Sequence, residues 1–283
     1  MNRKNGLLSG FSARKDRWRN KCIADVDQKG KLKTPFFQHK ATSMILGKLV
    51  IDWTQMPTYN TIMAVAAGSG LCSIAQTARR AAEKKQINPE GWTINFGILG
   101  SILFLTGLHM TLTWPMAKYF PFDNIIFGEP SLAFGALLLG LAFYCWKKAD
   151  RIRKAEMPLA EMAVNLRHLR YFLYGLGLAL IAIGFAGVTF QLFAAPPEEP
   201  ITGLFADYPM LEATAISGLY ALVGISALLI PGLLNQFAEQ YRGAYTRKQK
   251  LVYVLLMVDG LVWIGFGALN FFTHIGLIVN TMG

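Results

Sequence analysis

Charge is what this sequence has least of. Only 16% of its 283 residues are Asp, Glu, Lys or Arg, against about 25% in soluble domains. That shortage excludes an ordinary water-soluble enzyme. The long apolar runs exclude a disordered chain, which cannot bury enough apolar surface to fold. Cysteine is scarce as well, with three residues and no spacing that suggests a zinc site or a disulfide framework. Cys72 and Cys145 fall inside apolar runs and Cys22 in a basic stretch, so all three read as small inert side chains. Catalytic signatures are missing too: no Walker A loop, no dinucleotide fingerprint, no His-Glu-x-x-His, no Gly-x-Ser-x-Gly and no Cys-x-x-Cys. An enzymatic reading therefore has no motif to stand on, and no metal site is expected. No apolar run of about 7–15 residues lies near the start, so a cleaved signal peptide is not expected.

Apolar length is what the sequence has in abundance. It is 53% hydrophobic, with a mean hydropathy of +0.34. A bilayer core takes about 20 apolar residues of helix. Six runs qualify: Thr58–Ala78, Ile94–Trp114, Pro130–Trp146, Tyr171–Ala194, Ala213–Phe237 and Leu251–His274. The expected fold is an all-α, polytopic transmembrane bundle of about six spans over 51–283, preceded by a basic arm over 1–50. The first run carries Thr58, Asn60, Thr61, Ser69, Ser73, Gln76 and Thr77, so it should be shielded by the others.

The net charge is +11, and its placement matters more than its size. Loops 79–93, 147–170 and 238–250 hold nearly all the basic residues between spans. Lys118 stands alone in 115–129, and 195–212 has no Lys or Arg. The positive-inside rule puts the three basic loops in the cytoplasm of a prokaryotic inner membrane. Anionic head groups, not nucleic acid, are the partner this charge implies. The arm conflicts with that topology. It carries twelve Lys and Arg, among them Arg14, Lys15, Arg17 and Arg19 beside Trp18, yet six spans place it outside. A seventh span at Ser43–Met56 would contain Lys48 and Asp52 and is not expected. The arm reads as a solvated segment, or as one that lies on lipid or on an acidic subunit.

Within the spans, small residues recur: Ala64, Ala67, Gly68 and Gly70; Gly97, Gly100 and Gly107; Gly175, Ala179, Ala182, Ala186 and Gly187. They let helix backbones approach closely. Thr106-Gly107-Leu108, Ile183-Gly184-Phe185 and Ile264-Gly265-Phe266 recur in the even spans, pointing to three helical-hairpin repeats. Met157–Arg170 reads as an amphipathic helix with Pro158 in its first turn. Ala195–Pro200, with three prolines, cannot be helical throughout.

The stretch richest in chemistry is Gly107-Leu108-His109-Met110-Thr111-Leu112-Thr113-Trp114-Pro115, followed by Phe127-Gly128-Glu129-Pro130-Ser131. With Ile51-Asp52-Trp53, it resembles a prokaryotic integral-membrane family, domain of unknown function 981, over roughly residues 50–280. The resemblance implies a multi-helix membrane protein and assigns no activity. The basic arm and the loop at 115–123 depart from it.

His109, Met110, Trp114, Glu129, His274 and Asp52 are all expected near one membrane face. A histidine pair from His109 and His274 could ligate haem, and a histidine beside a carboxylate could hold a quinone or relay protons. The plainer reading has His109 bonding the backbone or Glu129, and the tryptophans in the interfacial belt. His39 and His168 read as solvated or interfacial. Asp259, inside the last span, needs a partner: a structural bond to Asn235 or a Ser/Thr, or an ion or proton. Three functions stay open: an accessory or scaffolding subunit of a larger, energy-transducing membrane complex; a haem- or quinone-binding redox subunit using His109 and His274; and a small-solute or proton-coupled transporter using Asp259.

Overall fold

The computed structural model describes residues 49–83, 85–240 and 246–282. The cluster Arg14, Lys15, Arg17, Trp18 and Arg19, with Cys22 and His39, lies outside them. Among the described residues the elements are helical: α1 (Asn60–Ala82), α2 (Pro89–Thr113), α3 (Glu129–Lys147), α4 (Ala149–Lys154), α5 (Pro158–Leu166), α6 (Arg170–Thr189), α7 (Pro209–Gln240) and α8 (Arg247–Thr281). A π-turn at Asn124–Gly128 leads into α3, and a 3-10 turn at Arg167–Leu169 joins α5 to α6. Six of the helical segments are long and apolar enough to cross a membrane.

Start signals follow the local chemistry. Asn88 caps α2 by accepting from Gly91 N, with Pro89 in the first turn. Thr246 and Gln249 form a reciprocal capping box at α8. The expected amphipathic helix is α5, opened by Pro158, with Leu159, Met162 and Ala163 buried. The fourth span stops five residues before Ala194. Gln191 (φ 52°) and Phe193 (φ 73°) take left-handed backbone conformations that no helix continues through. The last span runs past His274 to Thr281. Ala195–Pro200 is non-helical, and a short 3-10 turn follows at Thr202–Phe205.

Three antiparallel pairs build the bundle: α2 with α3, α6 with α7, and α8 with α1. The first and last spans thus pack on each other and close the assembly. Each pair has the same seam. Its buried positions are Phe96, Gly100, Leu103, Gly107 and Met110 on α2. On α6 they are Leu173, Gly177, Leu180, Gly184 and Gly187. On α8 the series is Leu256, Gly260, Trp263, Gly267 and Asn270. The alternating four–three spacing is that of a coiled-coil seam. At its glycines the helices come into backbone contact. A Cβ on Gly100 would lie 3.1 Å from Gly135 O, one on Gly177 2.8 Å from Gly224 O, and one on Gly260 2.8 Å from Gly68 O.

This threefold recurrence supports the repeat but corrects its register. Gly265 faces open space, and Gly267 makes the close approach, with Val65 N at 2.8 Å from an added Cβ. Gly175 is likewise open, while Gly177 is in the seam. The tight pairs also join neighbouring repeats, because each even span packs on the odd span of the next unit. The polar first span is shielded as expected: half of the α1 window is buried, against 28–33% for the others.

Candidate functional site

Asp259 lies on the inner face of α8 between Leu256 and Trp263. It is 2% exposed, and neither carboxylate oxygen has a hydrogen-bond partner. The neighbouring residues explain the surroundings. Gly260 abuts Gly68 and Cys72 of α1; the Cys72 thiol points to the Met257 carbonyl at 3.8 Å; Val252, Leu256 and Trp263 belong to the apolar core. The expected partner Asn235 is elsewhere. It lines a cavity at the basic end of the bundle with Arg167, His168, Arg170 and Glu239. The glycine seam brings the helices too close for a long donor to fold in beside Asp259. A carboxylate in such a place costs a few kcal/mol on insertion scales, and no interhelical bond offsets that cost.

One turn from Asp259 towards the opposite, loop end, Trp263 joins an aromatic ladder. Trp263 meets Tyr220 edge-on at 5.4 Å, Tyr220 stacks on Phe193 at 5.7 Å, and Phe193 meets Phe127 at 6.2 Å. The Tyr220 hydroxyl donates to Ile126 O at 2.9 Å. The ladder ties all three helix pairs together.

Beyond it lie the remaining sequence-selected residues. His109 is exposed at the end of α2. Its Nδ1 is 2.7 Å from the Tyr59 hydroxyl and its Nε2 3.3 Å from Thr113 Oγ1. Its partner is therefore Tyr59, not Glu129, which is exposed in the first turn of α3. Met110 is buried against Gly128. Trp114 ends α2 in a left-handed conformation (φ 49°) and is 44% exposed. Asp52 accepts from Thr54 N and Oγ1 and pairs with Lys118 Nζ at 3.2 Å. The Thr54 hydroxyl bond first and then Lys118 hold its carboxyl below the usual carboxylate range. The Tyr119 hydroxyl and then Asp52 push the Lys118 ammonium up.

His274 faces a different neighbour. Its Nε2 is 3.8 Å from Glu199 Oε1, and Nδ1 is buried without a partner. Glu199 is itself buried. Glu212 accepts from Ala195 N at 2.7 Å, and Pro200 presses on Gly276. α2 and α8 do not form a packed pair, and His109 and His274 have separate partners. The sequence reading overlooked Tyr59 and Glu199. Glu199 had a signal: Glu198, Glu199 and Glu212 crowd a stretch with no Lys or Arg, so a neighbouring histidine was the nearest available base. Among the described residues no group of three or more His, Cys, Asp and Glu is arranged to hold a metal ion.

The family model described as "Protein of unknown function (DUF981)" matches residues 56–276, so the chain belongs to that family. No curated protein and no solved structure matches the chain.

Proposed function

We propose that this chain is a non-catalytic, multi-pass membrane protein that carries protons, with Asp259 as the group that takes up and releases them. The observation that supports this reading is the isolation of Asp259. A structural role for an intramembrane carboxylate requires a donor across a helix interface, and both of its oxygens lack one. A proton is the one cation that satisfies a carboxyl without a coordination cage. The aromatic ladder at Trp263, Tyr220 and Phe193 fits a barrier on the loop side. In this reading the basic loops face the cytoplasm.

The test uses the full chain in phosphatidylcholine vesicles with a trapped pH indicator and a potassium diffusion potential. We expect proton entry above the protein-free rate, reduced at least about tenfold in Asp259→Asn, the size of an effect that removes the proton-carrying group. Equal rates in the wild type and the variant would sink the reading.

An accessory subunit of a larger membrane complex is the second reading. It is favoured by the apolar surface of the loop end, where Ile201, Leu204, Phe205, Tyr208 and Leu211 are all exposed and form a patch suited to another subunit. Co-purification of stoichiometric partners in mild detergent would support it, and a lone monomer would oppose it.

A further inference from the structure

The cavity that holds Asn235 has a chemistry of its own. It measures about 320 Å³ and is lined by Arg167 and His168 from the 3-10 turn, Arg170 from the start of α6, and Asn235 and Glu239 from the last turns of α7. That is the small end of the ligand-pocket range of about 300–1,000 Å³. Its donors outnumber its acceptors: two guanidinium groups, an imidazole and a carboxamide face one carboxylate. The carboxylate binds loosely, since Arg167 Nη1 meets Glu239 Oε1 at 3.7 Å in a single contact. Most of the five N–H groups of Arg167 are left to another oxygen ligand. Planar guanidinium groups match the paired oxygens of a phosphate.

The surface below the cavity distinguishes a lipid from a free ion. The Arg170 guanidinium lies 4.7 Å over the Tyr171 ring, and its Nη2 is 3.2 Å from the Tyr171 hydroxyl. Tyr171 begins a row with Tyr174, Leu178 and Phe185, at 73%, 40%, 61% and 73% exposure. Their spacing puts them on one face of α6, running from the cavity towards the other end of the helix. Phosphate donors thus stand at the head of an apolar lane with tyrosines at the junction, the arrangement that receives a head group and its acyl chain.

We propose that this cavity binds the phosphate of an anionic phospholipid whose acyl chain lies along Tyr171, Tyr174, Leu178 and Phe185. The full chain in detergent, titrated with phosphatidylglycerol or phosphatidylcholine and read by native mass spectrometry, tests it. We expect the wild type to retain phosphatidylglycerol preferentially. Arg167→Gln/Arg170→Gln should weaken that preference roughly thirtyfold, the effect of two interfacial cations. Lys147→Gln/Lys148→Gln, at the same end but outside the cavity, should change it less than about threefold. Glu239→Gln removes the competing carboxylate and should tighten binding about fivefold, a gain that misfolding cannot imitate. The proposal is overturned if the arginine variant keeps the preference, if the lysine variant loses as much, or if Glu239→Gln binds no tighter. Inorganic phosphate that displaces the lipid at equal concentration would also overturn it, assigning the cavity to the free anion.

Discussion

The middle of α8 and its loop end solve the burial of polar groups in opposite ways. In the middle, Asp259 sits beside a glycine seam with no donor in reach. At the loop end, although His274 Nδ1 and Thr273 Oγ1 are buried without partners, several polar groups are tied to a neighbouring segment. The Trp53 indole donates to Thr281 Oγ1 at 3.0 Å, Ile51 N to Thr281 O at 3.1 Å, and Asn280 Nδ2 to Glu198 O at 2.8 Å. The seam is held by shape and the loop end by hydrogen bonds. Stability at the seam should therefore respond to volume, and stability at the loop end to lost donors.

Volume gives the largest effect. A Cβ on Gly260 would lie 2.6 Å from Cys72 Sγ and 2.8 Å from Gly68 O. Backbone cannot retreat as a flexible side chain can, so Gly260→Leu should cost about 3 kcal/mol, the upper end of overpacking. Gly265→Leu, one turn along on the same helix and facing open space, should be close to neutral. Thermal unfolding of both variants in detergent compares them directly. Equal losses would mean that the seam is not where the helices are held.

Charge in the seam comes next, with the opposite sign. Replacing even a buried ion pair by well-packed apolar residues is often neutral or stabilising by about 1–4 kcal/mol, and an acid with no partner gives up no bond when it is replaced. Asp259→Val should thus raise the melting temperature while abolishing proton uptake. A stabilised, inactive variant marks a carboxyl kept for its chemistry. A destabilised one would show that Asp259 has a structural partner after all.

How far the sequence speaks follows the same division. Six spans, their polar first member and the amphipathic Pro158 helix were all readable, because each rests on composition along one segment. The heptad seam was also written in the sequence, as Gly100 and Gly107, Gly177 and Gly184, Gly260 and Gly267. Local triplets misplaced its third copy at Gly265, since glycine alone does not say which face it is on. Pairings across the bundle were not readable. Nothing in a single chain shows that α1 packs on α8, that Tyr59 meets His109, or that Asn235 turns away from Asp259. Those facts belong to three-dimensional closure of the bundle and to the left-handed turns at Gln191 and Phe193.

At the loop end the expected losses are smaller. Thr281→Val keeps the side-chain volume and removes the acceptor for the Trp53 indole. Thr281 is fully buried, so the indole N–H is left without its bond, at about 1 kcal/mol. The loss should appear as a lower melting temperature of the full chain in detergent. An unchanged melting temperature would show that the Trp53 bond adds nothing to the Ile51 backbone bond and the Asp52 contacts with Tyr119 and Lys118.

The Asp52–Lys118 pair gives the smallest effect and the clearest dependence on pH. The pair is solvent-exposed, so screening limits its worth. Its sign is still fixed. The Asp52 carboxyl is held below its ordinary range in the folded chain, by the Thr54 hydroxyl bond first and Lys118 second. Its contribution is therefore fully present above the ordinary carboxylate range and disappears as pH falls through the lowered folded value. Asp52→Asn should lower the melting temperature at neutral pH by no more than about 2 °C, and the gap to the wild type should close in acid. Lys118→Gln separates the two causes. Thr54→Val and Lys118→Gln should each remove part of the pH-dependent gap, Thr54→Val the larger part if the hydroxyl bond dominates. A larger loss in Lys118→Gln would make the ion pair, rather than the capped turn at Trp53–Gln55, the group that fastens this segment to the loop after α2.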